Sequence, residues 1–91
     1  AYAASKHALV GLTRTAAIQF GPDNIRTNIV CPGGTRTLLA EQGMIDDPTL
    51  RDRIVATCPL RRLAEPAEIA QAVLWLASSS ASYVNGAVIP V

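Results

Sequence analysis

Residues 25–34 read IRTNIVCPGG, and this stretch decides the architecture. Its residues are rich in β-branched types, turn formers (Asp23, Asn24) precede it, and Pro32-Gly33-Gly34 breaks it, so a strand is expected over Ile25–Cys31. The apolar end, Ile29-Val30-Cys31, does not alternate with polar residues. Strands buried on both faces of a parallel sheet have that composition. Upstream, Leu9, Leu12, Ala16 and Phe20 recur at steps of three and four, with Thr13 and Ala17 beside them, which predicts a helix from Tyr2 to Phe20. Small residues (Ala3, Ala4, Ala8, Gly11) keep that helix thin, and Gly21-Pro22-Asp23-Asn24 is expected to stop it, the glycine lying just past its end.

Downstream, Thr35–Glu65 is mixed, with one short helix expected near Pro48–Thr57. Pro66 suits a first helical position, Glu68 suits the first turn, and Ile69, Val73, Leu76 and Ala77 form a stripe widened by Ala72 and Trp75. Ser78-Ser79-Ser80 ends that helix, Asn85-Gly86 is a turn signal, and Ala87–Val91 reads as a last strand. Helix, strand, loop, helix, strand is an α/β order. Two strands cannot close a core alone. The expectation is one part of a larger parallel-sheet domain, which agrees with a first residue that is Ala rather than Met.

Composition narrows the function classes. With 91 residues, 49% hydrophobic and 16% charged, the chain is globular in character and large enough for one small domain at most. A net charge of +1 offers no electrostatic footprint for nucleic acid or a membrane surface. No apolar run approaches the ~20 residues of a membrane span. Cys31 and Cys58 lie far apart with only His7 to help them, so neither a metal site nor a disulfide framework is expected. Reduced thiols in a cytoplasmic protein fit better.

Two features could carry chemistry. Tyr2 and Lys6 stand four residues apart near a helix start and share one face. A lone phenol ionises near pH 10 and is a poor acid–base group at neutrality. An ammonium about 5 Å away favours the phenolate by roughly 3 kcal/mol at an effective dielectric of about 20, and the helix N-terminus adds positive potential. Such a tyrosine could protonate a developing alkoxide or accept a proton from an alcohol. The lysine would keep donors for a ligand hydroxyl. The same pair also suits a solvated helix face with the lysine stem lying on the ring. The second feature is Cys31-Pro32-Gly33-Gly34-Thr35-Arg36-Thr37, placed where a buried strand ends. Ligands of α/β sheets bind outside the carboxyl ends of strands, and glycines admit close backbone approach. An ordinary strand-to-loop turn has the same composition.

Taken together, AYAASKHALVGLTRTAAIQFGP, NIRTNIVCPGGTRT and PLRRLAEPAEIAQAVLWLASSSASYVNG resemble the short-chain dehydrogenase/reductase family across essentially the whole chain. The resemblance implies the C-terminal part of a Rossmann-like, doubly wound parallel-sheet domain. The nucleotide-binding half, with its glycine-rich loop and catalytic serine and asparagine, is not among residues 1–91, and the polypeptide alone is expected to be inactive. It further implies an NAD- or NADP-dependent oxidoreductase that interconverts a carbonyl and a secondary alcohol. Tyr2 would be the general acid/base, and Lys6 would support it and bind the nicotinamide ribose. Backbone at Pro32, Gly33, Gly34 and Thr35 would face the nicotinamide, with Thr37 near its carboxamide and the phosphates. Thr35 stands where the family commonly has Val or Ile, so its backbone is assigned a contact and its hydroxyl is not. The Gly33-Gly34 pair is expected to loosen the loop.

Thr35–Glu65 would be the mobile loop over a small-molecule substrate, with Leu38, Leu39 and Met44 as possible lining. Relatives of this kind are commonly homodimers or homotetramers, which would place the first helix at one interface and the last helix and strand at another. The competing class is a non-catalytic relative that binds a nucleotide or a partner. Retention of both Tyr2 and Lys6 argues against it. His7, Asn28, Cys31 and the Arg51-Asp52-Arg53 run read as packing or solvated residues rather than site residues.

Overall fold

The computed structural model describes residues 1–91 as α1 (Tyr2–Phe20), β1 (Ile29–Cys31), α2 (Leu38–Asp46), α3 (Leu50–Thr57), α4 (Pro66–Ala77) and β2 (Val88–Pro90). Short 3-10 turns at Gly21–Asp23 and Ser79–Ala81 follow α1 and α4. β1 and β2 pair in parallel, with Ile29 opposite Val88, Val30 opposite Ile89 and Cys31 opposite Pro90. Parallel neighbours require a long crossover, and α2, α3 and α4 all lie within it.

The helix expected over Tyr2–Phe20 forms, but its stop differs from expectation. Gly21 is right-handed (φ −54°), the chain tightens through the 3-10 turn, and Asn24 takes the left-handed conformation (φ 60°). Asparagine tolerates that region because its short side chain can bond locally. The residues of α1 nearest the sheet are not its large ones. Ala17 is buried and Val10, Thr13 and Ala16 are half-buried, whereas Leu12 is 65% exposed and Leu9 and Phe20 are also open. The thin side of the helix packs, and Leu12 and Phe20 of the apolar stripe are left open.

Strand pairing starts at Ile29 rather than at Ile25 because the preceding residues spend their polar groups on the 84–87 turn. Asn85 Oδ1 accepts from the Thr27 N–H at 2.9 Å, and Gly86 N–H donates to Thr27 O at 2.8 Å. Asn28 Nδ2 donates to Val84 O at 2.9 Å while its Oδ1 accepts from Ala87 N–H at 2.9 Å. Arg26 donates to the carbonyls of Val84 and Ser78, both at 3.3 Å. Asn28 is therefore structural, yet its partners lie some sixty residues away along the chain. Asn85 Nδ2 completes the clamp by donating to Ala17 O of α1 at 3.0 Å. Gly86 turns the chain at φ 75°, and a Cβ there would lie 3.3 Å from the Ala17 methyl.

The 35–65 stretch contains two helices where one was expected. Thr37 caps α2, its Oγ1 accepting from the Ala40 N–H at 3.1 Å. α3 starts two residues beyond Pro48, behind a turn in which Asp47 Oδ1 accepts from the Thr49 hydroxyl at 2.7 Å and the Thr49 N–H at 3.0 Å. Those bonds, helped by Arg53, hold the Asp47 carboxyl below its usual range. Pro66 opens α4 as expected. Glu68 there accepts from the Glu65 N–H at 2.8 Å and takes a two-pronged pair from Arg62 at 2.6 and 2.7 Å. Arg62, then the Glu65 N–H, pull the Glu68 carboxyl down to about 2.

Only Ala17, Leu63, Leu76 and Ala81 are buried. The accessible surface is 6671 Å², against roughly 5,100 Å² for a self-contained monomer of this mass. The radius of gyration is 15.7 Å, where about 12 Å suits a compact chain of this length. These residues thus form an open slab whose sheet edges and helix faces are built to be covered. No helix is long and apolar enough to cross a membrane.

Candidate active site

α1 begins beside the carboxyl end of β1, and that meeting forms a groove of about 370 Å³. Tyr2, Lys6, Leu9 and Val10 supply the helical wall, and Ile29, Val30, Cys31 and Pro32 the strand wall. The four-residue spacing does what helix geometry requires: the Lys6 ammonium lies over the Tyr2 ring, 5.5 Å from its centroid. Lys6 Nζ donates to no group of the protein, and the tyrosine is 76% exposed. Nothing in the chain consumes the polar heads of this pair. Ser5 and His7, its neighbours on the helix, are occupied locally: the Ser5 hydroxyl donates to Tyr2 O at 2.7 Å and His7 Nδ1–H to Ala3 O at 2.8 Å.

The Pro32–Thr37 segment divides between two environments. Pro32 joins the Tyr2–Lys6 groove, whereas Gly33 and Gly34 line a separate hollow with Cys58, Pro59, Leu60, Arg62 and Val91. Gly33 N–H is already committed to Val91 O at 2.7 Å. The glycine pair does not loosen the loop. Neither residue has a positive φ, and a Cβ at Gly34 would collide with Ile54 Cγ2 and sit 3.2 Å from Leu63 Cδ2. Gly34 is small because α3 packs directly on its backbone. Its carbonyl accepts from Ala64 N–H at 2.9 Å, and Arg36 N–H donates to Ala64 O at 2.9 Å, a parallel bridge centred on Thr35 and Ala64.

That bridge leaves the Thr35 N–H without an acceptor in the protein. The Thr35 hydroxyl is spent on Gly33 O at 3.0 Å. Thr37 Oγ1 accepts as the α2 cap, which leaves its hydroxyl proton free to donate. Two donors are thus available on this loop, a backbone N–H at Thr35 and a hydroxyl at Thr37. No local sequence signal marks the second hollow. Cys58 lies outside the motif stretches, and the approach of Cys58 and Pro59 to Gly34 depends on α3, whose packing no local pattern signals.

The family described as enoyl-(acyl carrier protein) reductase matches residues 1–91. A short chain dehydrogenase/reductase of Aspergillus oryzae is 48% identical over 92 residues, which cover 100% of this chain and 35% of that protein. The 2,5-dichloro-2,5-cyclohexadiene-1,4-diol dehydrogenase of Sphingobium indicum is 44% identical over 85 residues, covering 93% of this chain and 34% of that one. Among solved structures, a 4-hydroxyisoleucine dehydrogenase complexed with NADH superposes with a TM-score of 0.90 at 36% identity. The superposition covers 99% of this chain and 37% of that one. The parallel β1–β2 pair and its helices are therefore part of a Rossmann-type sheet domain, and the chain spans about 35% of the length of the curated relatives it matches. The fold, the order of motifs and the matches over the full chain agree: this chain belongs to the short-chain dehydrogenase/reductase family.

Proposed function

We propose that residues 1–91 are the C-terminal portion of one Rossmann-fold domain in an NAD- or NADP-dependent oxidoreductase that interconverts a secondary alcohol and a carbonyl. The observation that carries this reading is the unspent Tyr2–Lys6 pair in the groove at the carboxyl end of β1. Tyr2 and the Lys6 ammonium open into the groove beside Pro32, and the Thr35 N–H and Thr37 hydroxyl proton remain free on the loop that follows. A dinucleotide fits this donor set. Lys6 suits ribose hydroxyls, the Thr35 N–H a carboxamide oxygen, and Thr37 a carboxamide or phosphate oxygen. The NADH complex of the hydroxyisoleucine dehydrogenase and the diol dehydrogenase of Sphingobium support the cofactor and a hydroxyl-bearing substrate.

When bound, the nicotinamide gives or takes the hydride. Tyr2 manages the proton: its hydroxyl donates to the carbonyl oxygen during reduction, and its phenolate accepts from the alcohol during oxidation. Lys6 holds a positive charge over the ring, 5.5 Å from its centroid, and on this reading its ammonium donors orient the cofactor. Because Tyr2 is 76% exposed, this chemistry requires that the remainder of the domain cover the groove. Leu9, Leu12 and Ile18 on α1 and Val73, Leu74 and Trp75 on α4 are open apolar residues, which supports packing against that remainder and against further copies in a homodimer or homotetramer.

The test is Tyr2→Phe in the intact enzyme. Turnover should fall at least about a hundredfold, the usual range for removing a general acid/base, with dinucleotide affinity nearly unchanged. A variant retaining more than roughly a tenth of kcat would overturn the assignment. Wild-type protein that binds dinucleotide yet turns over no alcohol or carbonyl would favour the non-catalytic alternative.

A further inference from the structure

We infer that Asn85 is a site of spontaneous deamidation, which the folded clamp holds in check and which breaks the Asn85–Ala17 tie between α1 and the turn before β2 once it occurs. This inference stands apart from the proposed catalytic role. The sequence Asn85-Gly86 places an amide next to the residue that hinders its backbone nitrogen least. In the reaction the Gly86 nitrogen, having lost its proton to water, attacks Asn85 Cγ. The Cγ–Nδ2 bond breaks, ammonia leaves, and a succinimide forms. Water then opens the ring to aspartate or isoaspartate.

Three contacts oppose the first step. Asn85 Oδ1 is held by the Thr27 N–H at 2.9 Å and Nδ2 by Ala17 O at 3.0 Å, so Cγ cannot swing toward the backbone. The Gly86 N–H donates to Thr27 O at 2.8 Å, which disfavours loss of its proton. Asn28 stiffens both flanks of the dipeptide by bonding Val84 O and the Ala87 N–H. Reaction therefore requires local opening of the turn. Its product cannot restore the clamp. An aspartate oxygen in place of Nδ2 faces the Ala17 carbonyl, acceptor against acceptor, and isoaspartate lengthens the main chain between the two Thr27 contacts.

The test compares the intact full-length protein at neutral pH in buffer and in denaturing urea, following Asn85 by peptide mass and by isoaspartate-specific methylation. With at least two bonds to break, the folded rate should be roughly tenfold to thirtyfold below the unfolded rate. Asn28→Ala, if it folds, should raise the folded rate several-fold. Asn85→Asp should lower the thermal midpoint, while Asn24 and Asn28, each followed by isoleucine, serve as slow internal references. Equal rates at Asn85 in buffer and in urea, or no reaction at Asn85 in urea, would overturn the inference. Because the rate comparison uses wild-type protein alone, an Asn28→Ala variant that fails to fold leaves the test intact.

Discussion

Gly34→Ala probes the contact on which the Pro32–Thr37 loop depends. A methyl built there meets Ile54 Cγ2 inside its van der Waals envelope, with Leu63 Cδ2 at 3.2 Å and Cys58 Sγ at 3.5 Å. Leu63 is one of the four buried residues, so it has little room to retreat. Overpacking by one methyl costs about 1–3 kcal/mol, whereas Gly→Ala in a compatible backbone conformation gains about 0.4–1 kcal/mol through the unfolded state. The φ of Gly34 is not positive, so that gain applies. The expected net loss in the intact enzyme is about 1–2 kcal/mol by urea denaturation.

The cause can be isolated with Ile54→Ala, which removes the clashing Cγ2. In that background Gly34→Ala should be neutral or slightly stabilising, giving a coupling of about 1–2 kcal/mol between the two sites. Additive losses would mean that α3 moves freely over the loop, and the tight-packing argument would fail. Dinucleotide affinity adds a second readout. On the proposed reading, displacing Gly34 displaces the Thr35 N–H next to it, so the single variant should bind cofactor more weakly and the double variant should recover.

On the proposed reading, Lys6→Met loses charged donors that no protein group uses, so dinucleotide Kd by calorimetry should rise about tenfold to a hundredfold. Lys6→Arg keeps the charge with a different donor geometry and should fall between the two; a Kd unchanged in both variants would remove Lys6 from the cofactor site. Glu68, held at about 2 against an ordinary 4.5, contributes stability that is present above pH 4.5 and lost as pH falls through about 2. A carbon-detected NMR titration should show that low midpoint in the wild type and a return toward the ordinary range in Arg62→Ala; a wild-type midpoint near 4.5 would contradict the Arg62 geometry. Arg61 has a positive φ of 54° while its guanidinium donates to Ala56 O at 2.9 Å. Relief of strain and loss of that bond should roughly cancel in Arg61→Gly, leaving stability within about 1 kcal/mol, whereas a β-branched valine should cost more than that in the same denaturation assay.

What could be read from sequence was what local chemistry controls. The Tyr2–Phe20 and Pro66–Ala77 helices carry periodic apolar positions and, for the second, a proline at the first position, and both form over those residues. The 25–34 stretch yields a parallel strand shorter than its composition suggests, because Asn85 Oδ1 takes the Thr27 N–H and the Asn28 side chain takes Val84 O and the Ala87 N–H across the fold. α2 was missed for a different reason. Leu38 and Leu39 at its start are both exposed and Gly43 sits inside it, so no stripe marks it; its one local signal is the Thr37 cap. Tyr2 and Lys6 were legible as a pair because one helical turn joins them. The free Thr35 N–H was not, since it depends on a bridge to Ala64 that no spacing encodes.

The placement of Tyr2 also depends on residues at the opposite end of α1. Ala17 is the only buried residue of that helix, and Asn85 Nδ2 holds its carbonyl. Fifteen residues of helix separate Ala17 from Tyr2, a lever of about 22 Å at 1.5 Å per residue. A tilt of about 5° at the Ala17 end therefore carries the tyrosine about 2 Å, enough to cost on the order of a hundredfold in a reaction that needs near-contact geometry. The thin, small-residue face of α1 permits such a tilt unless something fixes its angle against β1. Only the Asn85–Thr27–Ala17 clamp joins α1, the entry to β1 and the entry to β2 through hydrogen bonds. On the proposed reading, Asn85→Ala should thus lower kcat more than it weakens dinucleotide binding, because Lys6, with a long flexible stem, can follow its ligand while the phenol cannot. Equal losses in kcat and affinity would show that the helix shifts as a rigid body away from the whole groove, and the lever argument would fail.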